Sequence, residues 1–256
     1  MKKYIFFLPL LIMMLHAFGV AAADKITVAV AANMQFAMEE LKNDFEKKTG
    51  ITVEMISGSS GKLSSQIIEG APFDVFVSAD MKYPEDLYKK GFATDAPKPY
   101  ATGQLVLWTT KMDLKLNGDL KILLLAAVKK IAIANPKTAP YGIAAIEALN
   151  YYKIYDEVKD KLVFGESIGQ TQQFIATQAA EVGFIAKSLV LADELKGQGQ
   201  WVDVDKKAYS PITQGAVILK HGKETNDNPA QKFYQFLYSA KAKSVFKKYG
   251  YIVNGL

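Results

Sequence analysis

The spacing of apolar residues along this chain switches repeatedly between a short continuous run and a helical period. Ile26 to Ala31 is an apolar run rich in β-branched residues, which predicts a buried strand. Met34, Ala37, Met38, Leu41 and Phe45 follow at helical spacing, with Asn33 as the expected N-cap and Gly50 as the stop. Ile51 to Ile56 predicts a second strand, and Ser57-Gly58-Ser59-Ser60-Gly61 a turn into a helix over Lys62 to Ile68. Phe73 to Val77 predicts a third strand, and Asp80 opens another helix. The order βαβαβ implies a parallel sheet.

A second unit of the same kind begins near Gln104. Leu105 to Thr109 predicts a strand entering it, and Ile131 to Ala134 another. Asn135-Pro136-Lys137-Thr138-Ala139-Pro140 then leads into a helix from Tyr141 to about Leu149. Leu162 to Phe164 passes through Gly165-Glu166-Ser167 into a helix from Ile168 to Thr177, and Val182 to Ala186 is one more strand. The chain returns around Pro211 to Gly215, with Ala216 to Leu219 as a strand and two amphipathic stretches, Ala230 to Tyr238 and Ala242 to Tyr249, at the end. Two crossings imply two hinged α/β lobes, each a mainly parallel sheet flanked by helices, with a cleft between them. The expected boundaries are 24–104 for the first lobe, 105–211 for the second, and 212–256 for the completion of the first.

The beginning of the chain changes the picture from a generic α/β protein to an exported one. Lys2 and Lys3 precede an apolar run ending near Val20, and Ala21-Ala22-Ala23 has the small-residue pattern of a cleavage site. Residues 1–23 are therefore expected to be a cleavable signal peptide, with Asp24 first in the mature, periplasmic protein. The alternative is an uncleaved membrane anchor. There is no Cys, which excludes a lipidated N-terminal Cys, disulfides and Cys metal sites.

Charge narrows the partners. The 31 basic residues are all Lys, and two of them lie in the signal segment, so the mature chain carries 29 − 26 = +3. The Lys are scattered among Glu and Asp, whereas a nucleic-acid footprint needs clustered charge, so no nucleic-acid partner is expected. His16 leaves with the signal segment, and His221 alone cannot form a multi-His metal site; a solvated role is expected for it.

Four predicted turns share one feature: a strand ends and a helix opens on small or polar residues. They are Ala32-Asn33, Ser59-Ser60-Gly61, Pro140-Tyr141-Gly142 and Ser167-Ile168. Ligands of open α/β sheets sit at the carboxyl ends of strands. Helix N-termini there offer unpaired N–H groups and partial positive charge. Four such turns meeting across a cleft would hold an anion without any cationic residue; each alone reads equally as an ordinary helix cap. A competing reading is enzymatic. Ser59-Ser60-Gly61-Lys62 satisfies the S-x-x-K pattern of acylating serine enzymes, with Lys62 as activator of Ser59, but the companion S-D-N and K-T-G motifs are absent. Gly58 to Lys62 is too short for a P-loop, and Asp74 and Asp80 suit strand-end and cap roles better than an acid pair. The chain is therefore expected not to be an enzyme.

Longer motifs carry a resemblance to a known family. Lys25-Ile26-Thr27-Val28-Ala29-Val30-Ala31-Ala32-Asn33, Gly58-Ser59-Ser60-Gly61-Lys62-Leu63 with Gln66-Ile67, Gly70 through Asp80, Asn135 through Gly142, and Lys248-Tyr249-Gly250-Tyr251 together resemble the periplasmic molybdate-binding proteins of ABC transporters. The resemblance spans essentially the whole mature chain. It implies a two-lobed binding protein, monomeric, that takes molybdate or tungstate, uses no cofactor, and delivers the ion to membrane permease subunits. It also implies the ligand-binding groups: Asn33 through its side-chain amide and backbone N–H, Ser60 through hydroxyl and N–H, and Tyr141 and Ile168 through backbone N–H. Where some members present a Tyr hydroxyl after Val182-Gly183, this chain has Ala186; that contact is expected to be absent, or replaced by water or by another residue such as the Tyr141 hydroxyl. Lys187 beside it reads as solvated. A different oxyanion such as sulfate remains the alternative ligand.

Overall fold

The computed structural model describes residues 24–253. The expected signal segment, 1–23, lies outside them. In chain order the first part runs β1 (Lys25–Ala31), α1 (Gln35–Thr49), β2 (Thr52–Gly58), α2 (Ser60–Ile68), β3 (Val75–Val77), α3 (Lys82–Lys89) and β4 (Lys98–Gly103). The chain then forms β5 (Leu105–Thr109), β6 (Ile131–Ala134), α4 (Pro140–Tyr151), α5 (Tyr155–Val158), β7 (Leu162–Gly165), α6 (Ile168–Ala176), β8 (Val182–Ala186), α7 (Lys187–Val190) and β9 (Gln200–Asp203). It ends with β10 (Ile212–Ile218), α8 (Lys220–Thr225), α9 (Asp227–Leu237) and α10 (Ala240–Lys248).

Two five-stranded sheets result, ordered β2-β1-β3-β10-β4 and β7-β6-β8-β5-β9. In each sheet four strands run one way and one runs against them, β10 in the first and β5 in the second. The reversed strands are those that arrive from the other lobe: β4 hands over to β5 through Gln104 alone, and β10 brings the chain back. A strand arriving from the other lobe enters its sheet from the opposite end, so it cannot run parallel to the strands already there. Two strands have no counterpart in the periodicity reading. β4 contains Pro99 and Gly103, and β9 is a four-residue edge; both are edge strands, where a strong apolar pattern is not required.

The helices cover both faces of each sheet, as the apolar spacing requires. Met38, Leu41 and Phe45 of α1 pack with Phe233 and Leu237 of α9 and Val245 and Phe246 of α10 against one face of the first sheet. Leu63 and Ile67 of α2 and Leu87 of α3 cover the other, over Ala29, Phe76 and Val217. The second sheet is buried around Trp108, Ile133, Phe184 and Leu149. Trp108 is 1 % exposed and its indole N–H donates to the Gln198 carbonyl at 2.8 Å, so even this polar edge is satisfied.

Candidate functional site

The four turns singled out above meet in one small pocket between the two sheets. Its wall includes Asn33, Ser60, Tyr141 and Ile168, all 4 % exposed or less, together with Ala79, and no charged side chain lines it. Ser60 is the first residue of α2, and Ile168 the first of α6. Ser59 and Ser167 cap these helices by accepting from the N–H groups of Lys62 and Gln170. Each cap satisfies the third N–H of its helix and leaves the first one, that of Ser60 or Ile168, without a partner in the helix. In α4 the first residue, Pro140, has no N–H, so Tyr141 carries the first one.

Ser60 has a second asset. Its Oγ accepts from the backbone N–H of Ala79 at 2.9 Å. With that lone pair engaged, the hydroxyl hydrogen is free to donate. The pocket therefore presents backbone N–H groups and one directed hydroxyl. Three helix N-termini each contribute about half a positive charge. Their sum, roughly +1.5, offsets most of a dianion's charge without a Lys.

Asn33 departs from expectation. It does not cap α1: residues 32–34 form a 3-10 turn, and the cap position is Met34, with no side-chain bond. Both of its side-chain amide hydrogens are already used, on the Gln214 Oε1 at 3.0 Å and the Tyr251 hydroxyl at 2.9 Å. In this arrangement only the backbone N–H of Asn33 is available to a ligand. Its carbonyl is held by Ser188 Oγ at 2.7 Å and the Tyr251 hydroxyl at 2.9 Å.

The Tyr141 hydroxyl accepts from Gln214 Nε2 at 3.2 Å, beneath the crossing at Gly103, where the lack of a side chain leaves the room that this hydroxyl fills. Burial pushes the Tyr141 and Tyr100 phenols well above their ordinary range, so both stay protonated at any physiological pH. Sequence reasoning missed Gln214, Tyr100 and Tyr251. Gln214 left one signal, a long polar side chain just ahead of the apolar run Ala216 to Leu219.

The lobes meet over the pocket. Gly61 N–H donates to the Thr138 carbonyl at 2.9 Å, the Tyr83 hydroxyl donates to the Lys137 carbonyl at 3.3 Å, and Lys62 pairs with Glu166 at 3.2 Å. The last contact removes the acylation reading, since Lys62 Nζ is committed across the cleft while Ser59 serves as a cap. Lys187 is not solvated: it pairs with Asp203 at 2.8 Å and lies over the Trp201 ring. His221 likewise has a partner, the Asp74 carboxylate at 3.0 Å. Asp74 is 1 % exposed and also accepts from the Thr27 N–H and Asn226 Nδ2, a structural role. Asp80 accepts from the Ser78 hydroxyl and the Tyr83 N–H, and burial still raises its carboxyl above the usual range.

Comparison with known proteins decides the family. Residues 26–252 match the model of the bacterial extracellular solute-binding proteins. The chain belongs to that family. Among curated relatives, this solute-binding protein is 44 % identical over 234 residues to the molybdate-binding protein ModA of Azotobacter vinelandii, covering 90 % of this chain and 91 % of that one. It is 41 % identical over 233 residues to the molybdate-binding protein ModA of Rhodobacter capsulatus, covering 91 % and 90 %. The solved periplasmic molybdate-binding protein of Azotobacter vinelandii superposes with a TM-score of 0.83 at 36 % identity, over 89 % of this chain and 98 % of that one. The two-lobed fold is thus that of a solute-binding protein, and the chain is not an enzyme.

Proposed function

We propose that this solute-binding protein captures molybdate in the interlobe pocket, accepts tungstate equally, and delivers the ion to the permease subunits of an ABC transporter. It acts as a periplasmic monomer after loss of residues 1–23, with lobes spanning 24–104 plus 212–256 and 105–211. Its ligand groups are the backbone N–H groups of Asn33, Ser60, Tyr141 and Ile168, and the Ser60 hydroxyl. One observation carries this reading: several hydrogen-bond donors, and no charged side chain, face a single small buried pocket at three helix N-termini. Such a site suits a fully deprotonated tetrahedral anion. The relatives named for molybdate supply the identity of the ion.

Selectivity follows from the same chemistry. Sulfate is smaller and leaves donors unmet, at a cost of about 1–3 kcal/mol each. Phosphate arrives protonated near neutral pH, and N–H and O–H donors offer no acceptor for its proton. Calorimetry is expected to give tight binding of molybdate and tungstate and much weaker binding of sulfate and phosphate. Sulfate or phosphate binding as tightly as molybdate would sink the assignment.

No ligand group here titrates between pH 6 and 9, because backbone amides and a serine hydroxyl hold their protons. Affinity is expected to be flat across that window, and the binding enthalpy independent of the buffer's ionisation heat. Lys62→Ala removes an exposed ion pair between the lobes, worth about 0–1 kcal/mol, so affinity should fall by at most roughly fivefold. Proton uptake on binding, or a much larger loss in Lys62→Ala or Lys187→Ala, would place a charged group on the anion.

A further inference from the structure

Beneath the pocket lies a buried polar network that joins the two lobes through the return strand. Gln214, fully buried in β10, accepts from Asn33 Nδ2 at 3.0 Å and from the Tyr100 hydroxyl at 2.8 Å, and donates to the Tyr141 hydroxyl at 3.2 Å. The Tyr100 hydroxyl also lies 2.9 Å from the Ser78 carbonyl, and the Tyr251 hydroxyl lies between Asn33 Nδ2 and the Asn33 carbonyl. One atom is left over. Asn33 Oδ1 is buried with no hydrogen-bond partner.

An orphaned acceptor is costly anywhere, about 1–3 kcal/mol. It is worse at Asn33, which lines the pocket while the partners of its Nδ2, Gln214 and Tyr251, do not. A carbonyl oxygen on that side repels an oxyanion. Reversing the Asn33 amide alone gains nothing, because its Oδ1 would then face Gln214 Oε1, acceptor against acceptor. Reversing both amides together gives every group a partner except Asn33 Nδ2, which is left to the ligand. Gln214 Nε2 then donates to Asn33 Oδ1 and to Tyr100, whose hydroxyl keeps the Ser78 carbonyl as its acceptor. Gln214 Oε1 accepts from the Tyr141 hydroxyl. Tyr251 can donate to Asn33 Oδ1, while Ser188 continues to hold the Asn33 carbonyl. Asn33 Nδ2 is released on the pocket side as a further donor.

We propose that Gln214 is a positioning residue for oxyanion capture: it sets the direction of the Asn33 amide, and with a fully deprotonated anion bound both amides stand in the reversed direction, with Asn33 Nδ2 towards the ion. This rests on the oxyanion-binding reading above. In the observed direction Asn33 Oδ1 opposes an oxyanion; in the reversed direction the pocket offers donors only, the state that suits a fully deprotonated ion, and the network ties that state to the strand that links the lobes.

Gln214→Glu tests it. A carboxylate can accept from Asn33 Nδ2 but cannot donate to Asn33 Oδ1, so it locks the observed direction. Molybdate affinity of this variant is expected to fall tenfold or more at pH 8.5 and to recover as the pH falls towards 6, where a protonated carboxyl can donate. The parent should be flat over the same range. Gln214→Met, which neither donates nor accepts, leaves Asn33 free to reverse and should lose less than Gln214→Glu at pH 8.5. Because either variant could disturb folding, a second measurement uses the parent: the side-chain amide resonances of Asn33 and Gln214, assigned by nuclear magnetic resonance, should both shift on titration with sodium molybdate. Equal, pH-independent affinities of parent and Gln214→Glu, or an unmoved Gln214 amide at saturation, would overturn the proposal while leaving molybdate binding intact. Failure of the parent itself to bind molybdate would instead sink the functional reading and this inference together.

Discussion

Gly61→Ala is expected to bind molybdate roughly 5–150-fold more weakly than the parent while melting at nearly the same temperature. A methyl group on Gly61 would lie 2.6 Å from the Tyr83 hydroxyl and 2.9 Å from both the Cα and the carbonyl oxygen of Thr138. The Tyr83 ring can swing aside. Thr138 cannot, because it belongs to the opposite lobe and its turn is pinned by the Asn135 carbonyl. Relief comes from keeping the lobes apart, and overpacking of this kind costs about 1–3 kcal/mol. That cost falls on closure, since rigid-body opening removes the clash without unfolding either lobe. Alanine is also the better helix former by about 1 kcal/mol, so thermal stability should not drop. Calorimetry with a melting curve separates the two effects. X-ray scattering should show the variant at saturating molybdate with a larger radius of gyration than the parent. Parent-like affinity would mean that binding does not require the Gly61–Thr138 contact.

Ser60→Ala is expected to weaken molybdate binding by about 1.5–3 kcal/mol, a hydrogen bond to a charged ligand being worth that much. The Ala79 N–H, which donates to Ser60 Oγ at 2.9 Å, loses its acceptor as well. Some loss of stability follows from that orphaned donor, on the order of 1 kcal/mol. The helix cap is unaffected, because Ser59 provides it. Ser64→Ala, one turn along the same helix, is the control and should bind like the parent. The assignment of Ser60 fails if both variants bind like the parent.

The alternation of strands and helices was legible in the sequence because each strand had to be buried and each helix had to keep an apolar stripe. β5, β6 and β8 fall at the predicted residues, since central strands cannot relax their pattern. β4 and β9 were not legible, because edge strands tolerate Pro99, Gly103 and polar positions. Ser60 and Ile168 were legible as helix starts through their neighbours, because a Ser before a helix start is a local signal.

The sequence by itself thus determined two α/β units and the places where their helices start, each just after a strand. Only the tertiary structure decided that the four turns share one pocket, because convergence depends on how two sheets face each other across the crossings at Gln104 and Pro211. It also decided the state of Asn33. A local reading made that residue a cap, which it is not, and in this structure its side-chain amide reaches Gln214 and Tyr251, partners 181 and 218 residues away. No spacing rule reaches so far, since a side chain's hydrogen bonds go to whichever groups the fold buries beside it.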